Sequence, residues 1–285
     1  EKEIPETVST VLVLLRRDLK YSLRVIKSLK KRGIRCLISW KESGAHQVSE
    51  MLDHSKRLNQ FMEICAEGGE FLSSTQSLVP LYLASGCTKG DFLPTPYPVN
   101  QEEWNFAKPV EERQGIFIGT REFDVPSRNH LAAVISASSL AKRLGTFVTC
   151  ISRKNADILG VISQKHPNFR FVKGPLPYAD YLRIMASHRI VFQWDQSEVP
   201  GQVAGDATLC RIPCVGGNSA IEQLVFPDFS GAHLSREETL AALEHLLTDD
   251  GYYNESCNNS EELAQKTLSY ESVSLSLNAL ITQGS

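Results

Sequence analysis

Residues 191–222 read VFQWDQSEVPGQVAGDATLCRIPCVGGNSAIE, and the order of elements in this stretch decides the fold. An apolar run ends near Trp194, as a buried parallel strand would. Pro200 and Gly201 precede a helical segment, and a second short apolar run begins at Pro213. A strand, a helix and another strand in succession predict one unit of a parallel β-sheet covered by helices.

The same alternation continues on both sides of this stretch. Short apolar runs that predict strands occupy residues 10–15, 34–40, 71–73, 92–93, 115–119, 147–152, 169–173, 190–194 and 213–216. Between most of them lie segments whose apolar residues recur at helical spacing, such as residues 18–31 and 127–144. The chain is therefore predicted to be an α/β protein with parallel sheets flanked by helices.

Three prolines between Pro94 and Pro98 interrupt this alternation. Neither a helix nor a central strand continues through such a segment. We therefore predict an N-terminal domain over residues 1–98, a linker over 99–110 and a C-terminal domain over 111–285.

Composition narrows the functions to consider. The chain has 285 residues, a formal net charge of −3 and a pI near 6.2, which argue against a general nucleic-acid-binding protein because such proteins need a basic face. No apolar run approaches the roughly 20 residues that span a bilayer. Residues 1–10 do not resemble a signal peptide, and seven scattered cysteines predict buried, reduced thiols. These features favour a cytoplasmic protein.

The first predicted helix has a basic face. Its cations are Arg16, Arg17, Lys20, Lys27, Lys30, Lys31 and Arg32. We interpret this face as solvated; the alternative is peripheral contact with an anionic membrane surface or a lipid-linked acceptor.

The candidate chemistry lies around the Pro200-Gly201 helix start. The sequence has neither GxGxxG nor GxxxxGK[ST], which argues against a dehydrogenase or a P-loop enzyme, and it has no HExxH, GxSxG or Asp-x-Asp motif. Unpaired N–H groups at a helix start favour an anion such as phosphate. Glu198 and Asp206 flank this helix start, and carboxylates accept hydrogen bonds from sugar and ribose hydroxyls.

These residues resemble the Glu-x7-Glu signature of the retaining glycosyltransferases with the GT-B fold. The matching positions are Glu198, Gly201, Asp206, Ala207, Pro213, Gly216, Gly217 and Glu222. The chain departs from the family pattern at Asp206, which stands for the second glutamate, at Arg211, which stands for a glycine, and at Val199-Pro200, which stands for a glycine–aromatic pair. The likeness covers roughly residues 115–247.

The resemblance implies two Rossmann-like domains, the N-terminal one reduced, with the donor site in the C-terminal one. Residues 116–121 and Arg128 are similar to the family's diphosphate-binding segment, and residues 172–177 are similar to its base-binding segment. The implied catalytic residues are Glu198, Arg128 and Arg121. The implied donor-binding residues are Gly119, Thr120, Pro175, Leu176, Gly201, Gln202, Asp206 and Glu222. The alternatives are a surface charge for Arg128 and a helix cap for Glu222.

What the resemblance implies is a retaining, metal-independent glycosyltransferase without a cofactor. It would move a sugar from a nucleotide-diphosphate donor to a saccharide, lipid-linked or protein acceptor on the N-terminal domain. That domain is short, has Arg16-Arg17-Asp18 in place of the family's glycine-rich loop, and offers only His46 as a positional counterpart of the family's histidine. Two alternatives therefore stay open: a non-catalytic binding or scaffold protein of the same fold, and a nucleotide-sugar epimerase.

Overall fold

The computed structural model describes residues 4–16, 18–41, 44–119, 125–152 and 156–282. Its strands are β1 (Thr10–Leu15), β2 (Arg35–Trp40), β3 (Glu70–Ser73), β4 (Lys89–Phe92), β5 (Ile116–Ile118), β6 (Val148–Ser152), β7 (Phe169–Lys173), β8 (Ile190–Phe192) and β9 (Cys214–Val215). Its α-helices are α1 (Leu19–Lys31), α2 (Ala45–Met51), α3 (Ser55–Gly68), α4 (Val79–Ala84), α5 (His130–Leu144), α6 (Ala156–Lys165), α7 (Tyr178–Ala186), α8 (Gln202–Leu209), α9 (Ala220–Val225), α10 (Arg236–Thr248), α11 (Asp250–Leu268) and α12 (Tyr270–Thr282). The predicted α/β class with parallel sheets is confirmed.

The chain forms two compact units. One comprises Glu1–Thr95, Glu198–Pro200 and Val273–Ser285, and the other comprises Pro96–Ser197 and Gly201–Ser272, as far as these ranges are described. None of the described helices is long and apolar enough to cross a membrane.

The first unit contains a four-stranded parallel sheet in the order β1-β2-β3-β4. Each crossover runs to the next strand in the same direction, and right-handed crossovers of this kind leave their helices on one face. The core lies on that face, where α1, α3 and α4 cover alternate strand residues such as Ile38, Trp40 and Phe71. On the opposite face, Leu12 and Leu14 of the edge strand β1 are 49% and 44% exposed.

Helix α12 belongs with this first unit. The Arg35 Nη1 atom donates to the carbonyl oxygen of Ile281 at 2.6 Å and Nη2 donates to that of Leu280 at 3.3 Å. The same guanidinium pairs with Glu70, with Nε and Nη2 at 2.8 and 2.5 Å from its two carboxylate oxygens. The predicted C-terminal domain of residues 111–285 is therefore corrected at its end, because the last helix is bound by a strand of the other unit.

The second unit contains a five-stranded parallel sheet in the order β7-β6-β5-β8-β9. Strands β5 and β8 are neighbours although three helices separate them in sequence, so the chain reverses its direction of winding between them. The core joins this sheet to helices on both faces, from Val134 of α5 to Leu243 of α10 and Leu268 of α11.

The segment predicted as a linker, residues 99–110, packs against the second unit. Val99, Trp104, Phe106 and Val110 lie against the core of the second unit. The Phe106 N–H also donates to the carbonyl oxygen of Leu209 at 2.9 Å. The second unit thus begins at Pro96 rather than at residue 111.

Candidate functional site

The reversal between β5 and β8 marks the candidate site. In open parallel sheets, ligands bind at the carboxyl ends of the strands where the winding direction changes. Gly119 follows β5 and Gln193 follows β8 at this point, and their loops lead to Arg128 and Glu198. Thr120 and Arg121, which the sequence also assigned to the site, lie outside the described residues.

Gly119 brings β5 close to helix α8. A Cβ atom at this position would lie 2.3 Å from Cγ1 of Val203, so only glycine permits this approach. The Gly119 N–H donates to the carbonyl oxygen of Phe192 at 3.0 Å, which holds the ends of β5 and β8 together.

Helix α8 begins at the site without a side-chain cap. Gly201 is its N-cap, with φ of 105°, and a Cβ atom there would lie 2.3 Å from Oγ of Ser219. Gln202, the first helical residue, is exposed. The N–H groups of the first turn and the helix dipole favour an anion at this end.

Arg128 ends a short 3-10 helix formed by Pro126–Arg128. Its Nε atom lies 3.6 Å from Oδ2 of Asp195, a residue that the sequence analysis did not select. Asp195 is 5% exposed, and its Oδ1 accepts the N–H of Ser197 at 2.9 Å. The side-chain amide of Asn129 donates to the carbonyl oxygen of Trp194 at 3.1 Å, which ties the loop after β5 to the loop after β8.

Glu198 adopts a left-handed backbone conformation, with φ of 49°. For a residue with a Cβ atom this conformation costs roughly 1–2 kcal/mol, and such residues concentrate at ligand sites. The preceding Ser197 is fully buried, and its Oγ lies 2.7 Å from Oγ of Ser127. The loop that carries Glu198 is thus fixed to the segment that carries Arg128.

Glu222 is a helix cap within the protein interior. Its side chain is fully buried and forms a capping box with Ser219 at the start of α9. Oε1 accepts from Nε2 of Gln193 and from the N–H of Gly217, and Oε2 accepts from the N–H of Ser219, each at 3.0 Å. Burial raises the pKa of Glu222 above its usual range, although the hydrogen bonds from Gln193 and Ser219 act in the opposite direction. Of the two interpretations given for Glu222, the geometry corresponds to the cap and not to a ligand contact.

Asp206 also differs from the expectation of an open, ligand-facing carboxylate. It is 1% exposed, and the Tyr178 hydroxyl donates to its Oδ1 at 2.5 Å. Tyr97 packs across the same helix, with its hydroxyl 3.1 Å from the carbonyl oxygen of Gln202. Asp206 thus lies within α8, and its carboxylate is engaged by the Tyr178 hydroxyl.

Pro175 and Leu176 lie in the loop between β7 and α7, at the same edge of the sheet. Pro175 is exposed, whereas Leu176 is partly buried against the core. The N–H of Gly174 donates to the carbonyl oxygen of Ser152 at 2.9 Å and so fixes the start of this loop.

His130 and His46 have different surroundings. Burial, helped by the Arg128 charge, lowers the pKa of His130 to about 4, and its Nε2 lies 3.5 Å from Sγ of Cys150. His46 lies in the first unit, with Nδ1 3.7 Å from a carboxylate oxygen of Glu50. Among the described residues, no group of three or more His, Cys, Asp or Glu side chains could hold a metal ion.

No protein-family profile and no curated protein sequence matches the chain. Solved structures do match. Sucrose-phosphate synthase from Thermosynechococcus elongatus aligns with a TM-score of 0.65 and 15% identity, over 96% of this chain and 73% of that one. Trehalose-6-phosphate synthase OtsA aligns with a TM-score of 0.70 and 11% identity, over 97% and 72%. Anabaena HepE in complex with UDP and glucose aligns with a TM-score of 0.63 and 11% identity, over 95% and 77%.

At such low sequence identity, these matches show similarity of fold alone. They cover nearly the whole chain, including both parallel sheets and the reversal between β5 and β8. The chain therefore has the GT-B fold of the glycosyltransferases that it resembles.

Proposed function

We propose that the protein is a glycosyltransferase that binds a nucleotide-diphosphate sugar at the carboxyl end of the second sheet. The observation that carries the proposal is that Arg128 follows β5 and the uncapped start of α8 follows β8, the two neighbouring strands between which the winding reverses. Both features attract an anion, and a diphosphate is the anionic group of such a donor. The UDP complex of the HepE neighbour agrees with this choice of ligand class.

The chemistry follows from the charge that develops as the sugar leaves. The departing diphosphate gains negative charge, which the Arg128 guanidinium and the first N–H groups of α8 would stabilise in place. Arg121 and Thr120 belong to the same proposal on sequence grounds. We propose retention of the sugar's configuration and catalysis without a metal ion or cofactor, as the family resemblance implies.

Glu198 is assigned to the sugar. A carboxylate accepts hydrogen bonds from sugar hydroxyls, and Glu198 has a left-handed backbone conformation of the kind that clusters at ligand sites. The acceptor would be a saccharide, a lipid-linked molecule or a protein.

Helix α1 supports an additional peripheral contact with an anionic membrane surface. Lys20, Arg24, Lys27 and Lys31 are exposed on one stripe of this helix, which has no acidic residue. Tyr21 beside them is 56% exposed. Clustered cations with an exposed aromatic ring suit anionic headgroups, at about 1 kcal/mol per cation.

A second candidate is a non-catalytic binding protein of the same fold. The engagement of Asp206 by Tyr178 favours it, because one carboxylate of the signature is withdrawn from the ligand. No observation favours an epimerase.

The test is calorimetric binding of UDP, GDP, ADP and CMP, followed by turnover. We expect one nucleoside diphosphate to bind, and we expect Arg128→Ala to raise its dissociation constant at least tenfold. The matching nucleotide sugar should then be hydrolysed or transferred with retention. NMR of the anomeric proton of the product would show the configuration. Arg143→Ala is the matched control, since Arg143 lies at the other end of α5 and pairs with Glu244. Binding without turnover, with or without acceptors, would support the scaffold; no binding would overturn the proposal.

A further inference from the structure

The second carboxylate of the signature is held inside the protein. Asp206 is 1% exposed, and the Tyr178 hydroxyl donates to its Oδ1 at 2.5 Å. Burial and the negative charge of Asp206 raise the pKa of Tyr178, so the hydroxyl keeps its proton at neutral pH and remains a donor. A ribose hydroxyl that sought the same oxygen atom would first have to displace Tyr178.

The helix that carries Asp206 has little freedom to turn this carboxylate outward. The ring of Tyr97 packs on the adjacent Gly205, where a Cβ atom would lie 2.1 Å from Cζ of Tyr97. Aspartate is also one methylene shorter than the glutamate that the family resemblance leads one to expect. The packing of Tyr97 on the helix and the short aspartate side chain together keep the Asp206 carboxylate beside the Tyr178 hydroxyl.

Tyr178, in contrast, is partly open to solvent. It is the first residue of α7, directly after the loop that contains Pro175 and Leu176, and it is 41% exposed. Trp104 and Tyr181 flank it, with ring centroids 6.0 and 6.2 Å away. Asp206 holds the Tyr178 hydroxyl, and the rings of Trp104 and Tyr181 lie beside the Tyr178 ring. The exposed part of Tyr178 is therefore held in place at the edge of the sheet where ligands bind.

We infer that Asp206 positions Tyr178, and that the exposed face of the Tyr178 ring, rather than the Asp206 carboxylate, contacts the nucleoside of the donor. This inference rests on the proposed function. An aromatic face binds a nucleobase by stacking, whichever base it is. The ribose hydroxyls then contribute little through Asp206, and Tyr178 becomes the residue that determines how the base is held.

The experiment measures the dissociation constant of the best-binding nucleoside diphosphate by calorimetry, together with its 2′-deoxy and 3′-deoxy forms. The variants are Tyr178→Leu, Tyr178→Phe, Asp206→Asn and the double variant Tyr178→Phe/Asp206→Asn. Tyr178→Phe keeps the ring and removes only its bond to Asp206, so it serves where Asp206→Asn folds poorly; circular dichroism checks each fold.

We expect Tyr178→Leu to weaken binding about tenfold or more, as the loss of one stacked base does. Tyr178→Phe and Asp206→Asn should each have a smaller effect, because the first removes the bond and keeps the ring, and the second keeps an amide oxygen that still accepts from the Tyr178 hydroxyl. The double variant should be no worse than Tyr178→Phe, which has already lost the hydroxyl that Asp206 holds. The deoxy nucleotides should bind within about twofold of the ribose form, and equally so to Asp206→Asn.

Two results would overturn the inference while leaving the proposed function intact. One is a wild-type preference for the ribose form that Asp206→Asn abolishes, which would mean that Asp206 binds ribose. The other is wild-type affinity in Tyr178→Leu. If the wild-type protein binds no nucleotide at all, the proposed function fails, and this inference fails with it.

Discussion

The Nε atom of Arg128 lies 3.6 Å from Oδ2 of Asp195, and Asp195 in turn accepts the N–H of Ser197 through Oδ1. A single carboxylate thus links the cation after β5 to the loop after β8. We expect Asp195→Asn, which keeps the bond to Ser197 but removes the charge beside Arg128, to weaken nucleoside diphosphate binding by about 1 kcal/mol, roughly fivefold.

The same change in an Arg128→Ala background should have no further effect on the dissociation constant, since Asp195 acts through Arg128. Tighter binding by Asp195→Asn would contradict this view, because it would show that the carboxylate competes with the phosphates for the guanidinium. Calorimetry at two salt concentrations would separate a specific contact from general attraction.

Gly201 combines a left-handed backbone with crowding. Alanine there adds a Cβ atom 2.3 Å from Oγ of Ser219 to the strain of a φ of 105°, and we expect a loss of about 2–4 kcal/mol in the free energy of unfolding. Gly145, with φ of 67° and no atom within 4 Å of a built Cβ, is the matched control and should lose only about 1 kcal/mol. Urea denaturation measures the free energy of unfolding of both variants. Equal losses would mean that the loop around Gly201 shifts to accommodate the added Cβ atom.

Two capping boxes separate the effect of burial from that of geometry. Ser219 and Glu222 form one in the interior, and Ser235 and Glu238 form the other at the surface. Glu222→Gln replaces an acceptor with a donor at one of the buried N–H groups, so we expect a loss of about 1–3 kcal/mol in unfolding free energy. Glu238→Gln should cost clearly less because water replaces the lost acceptor. A similar cost at both sites would refute the role of burial.

Two buried histidines make stability depend on pH. The Nδ1–H of His188 donates to the carbonyl oxygen of Ile184 and its Nε2 accepts from Oγ1 of Thr149, both at 2.7 Å, which fixes the neutral ring. Burial lowers the pKa of His188, as of His130, from 6.5 to about 4. The unfolded chain therefore binds more protons below pH 6.5, and stability present at neutral pH is lost as the pH falls.

The expected loss is about 3 kcal/mol per histidine between pH 7 and pH 4. Urea titrations at intervals of one pH unit would show a shallower dependence for His188→Gln than for the wild type. The exposed His233 provides the control, since His233→Gln should leave the slope unchanged. A slope that His188→Gln does not alter would show that His188 does not contribute to the acid sensitivity.

Charge reversal on α1 tests the membrane contact. The wild-type protein should cosediment with vesicles that contain phosphatidylglycerol, and the double variant Lys20→Glu/Arg24→Glu should not. Neither the wild type nor this variant should bind vesicles of pure phosphatidylcholine. Lys142→Glu, at an exposed lysine of α5, should bind like the wild type. Wild-type protein that stays in the supernatant with both vesicle types would leave α1 as a solvated face.

The alternation of apolar runs predicts most of the sheet and helix order, because buried strands and helix faces leave a periodic trace in sequence. The site is harder to predict. Glu222 lies in α9 and Asp206 in α8, but spacing alone does not tell whether a carboxylate faces a ligand, an N–H group or a tyrosine hydroxyl. Asp195 escaped notice because an acidic residue in a polar loop has the same pattern whether it is solvated or, as here, 5% exposed.

Long-range pairing is the other limit. The sequence predicts a helix at the C-terminus, yet nothing local indicates that Arg35 would hold its last carbonyl groups, at Leu280 and Ile281. Only the folded chain brings residues so far apart in sequence together. The three prolines from Pro94 to Pro98, by contrast, are a local signal, which is why a domain boundary could be predicted there.

The return of α12 to the first unit means that neither unit is encoded by one uninterrupted segment of the gene. A fragment ending at Thr95 would leave Arg35 without the helix end that it binds. The complementary fragment would carry α12 without the Arg35 side chain that binds its last carbonyl groups. Ribosomal synthesis therefore cannot complete the first unit until α12 has emerged, so assembly of this unit waits for residues that are translated after the whole of the second unit.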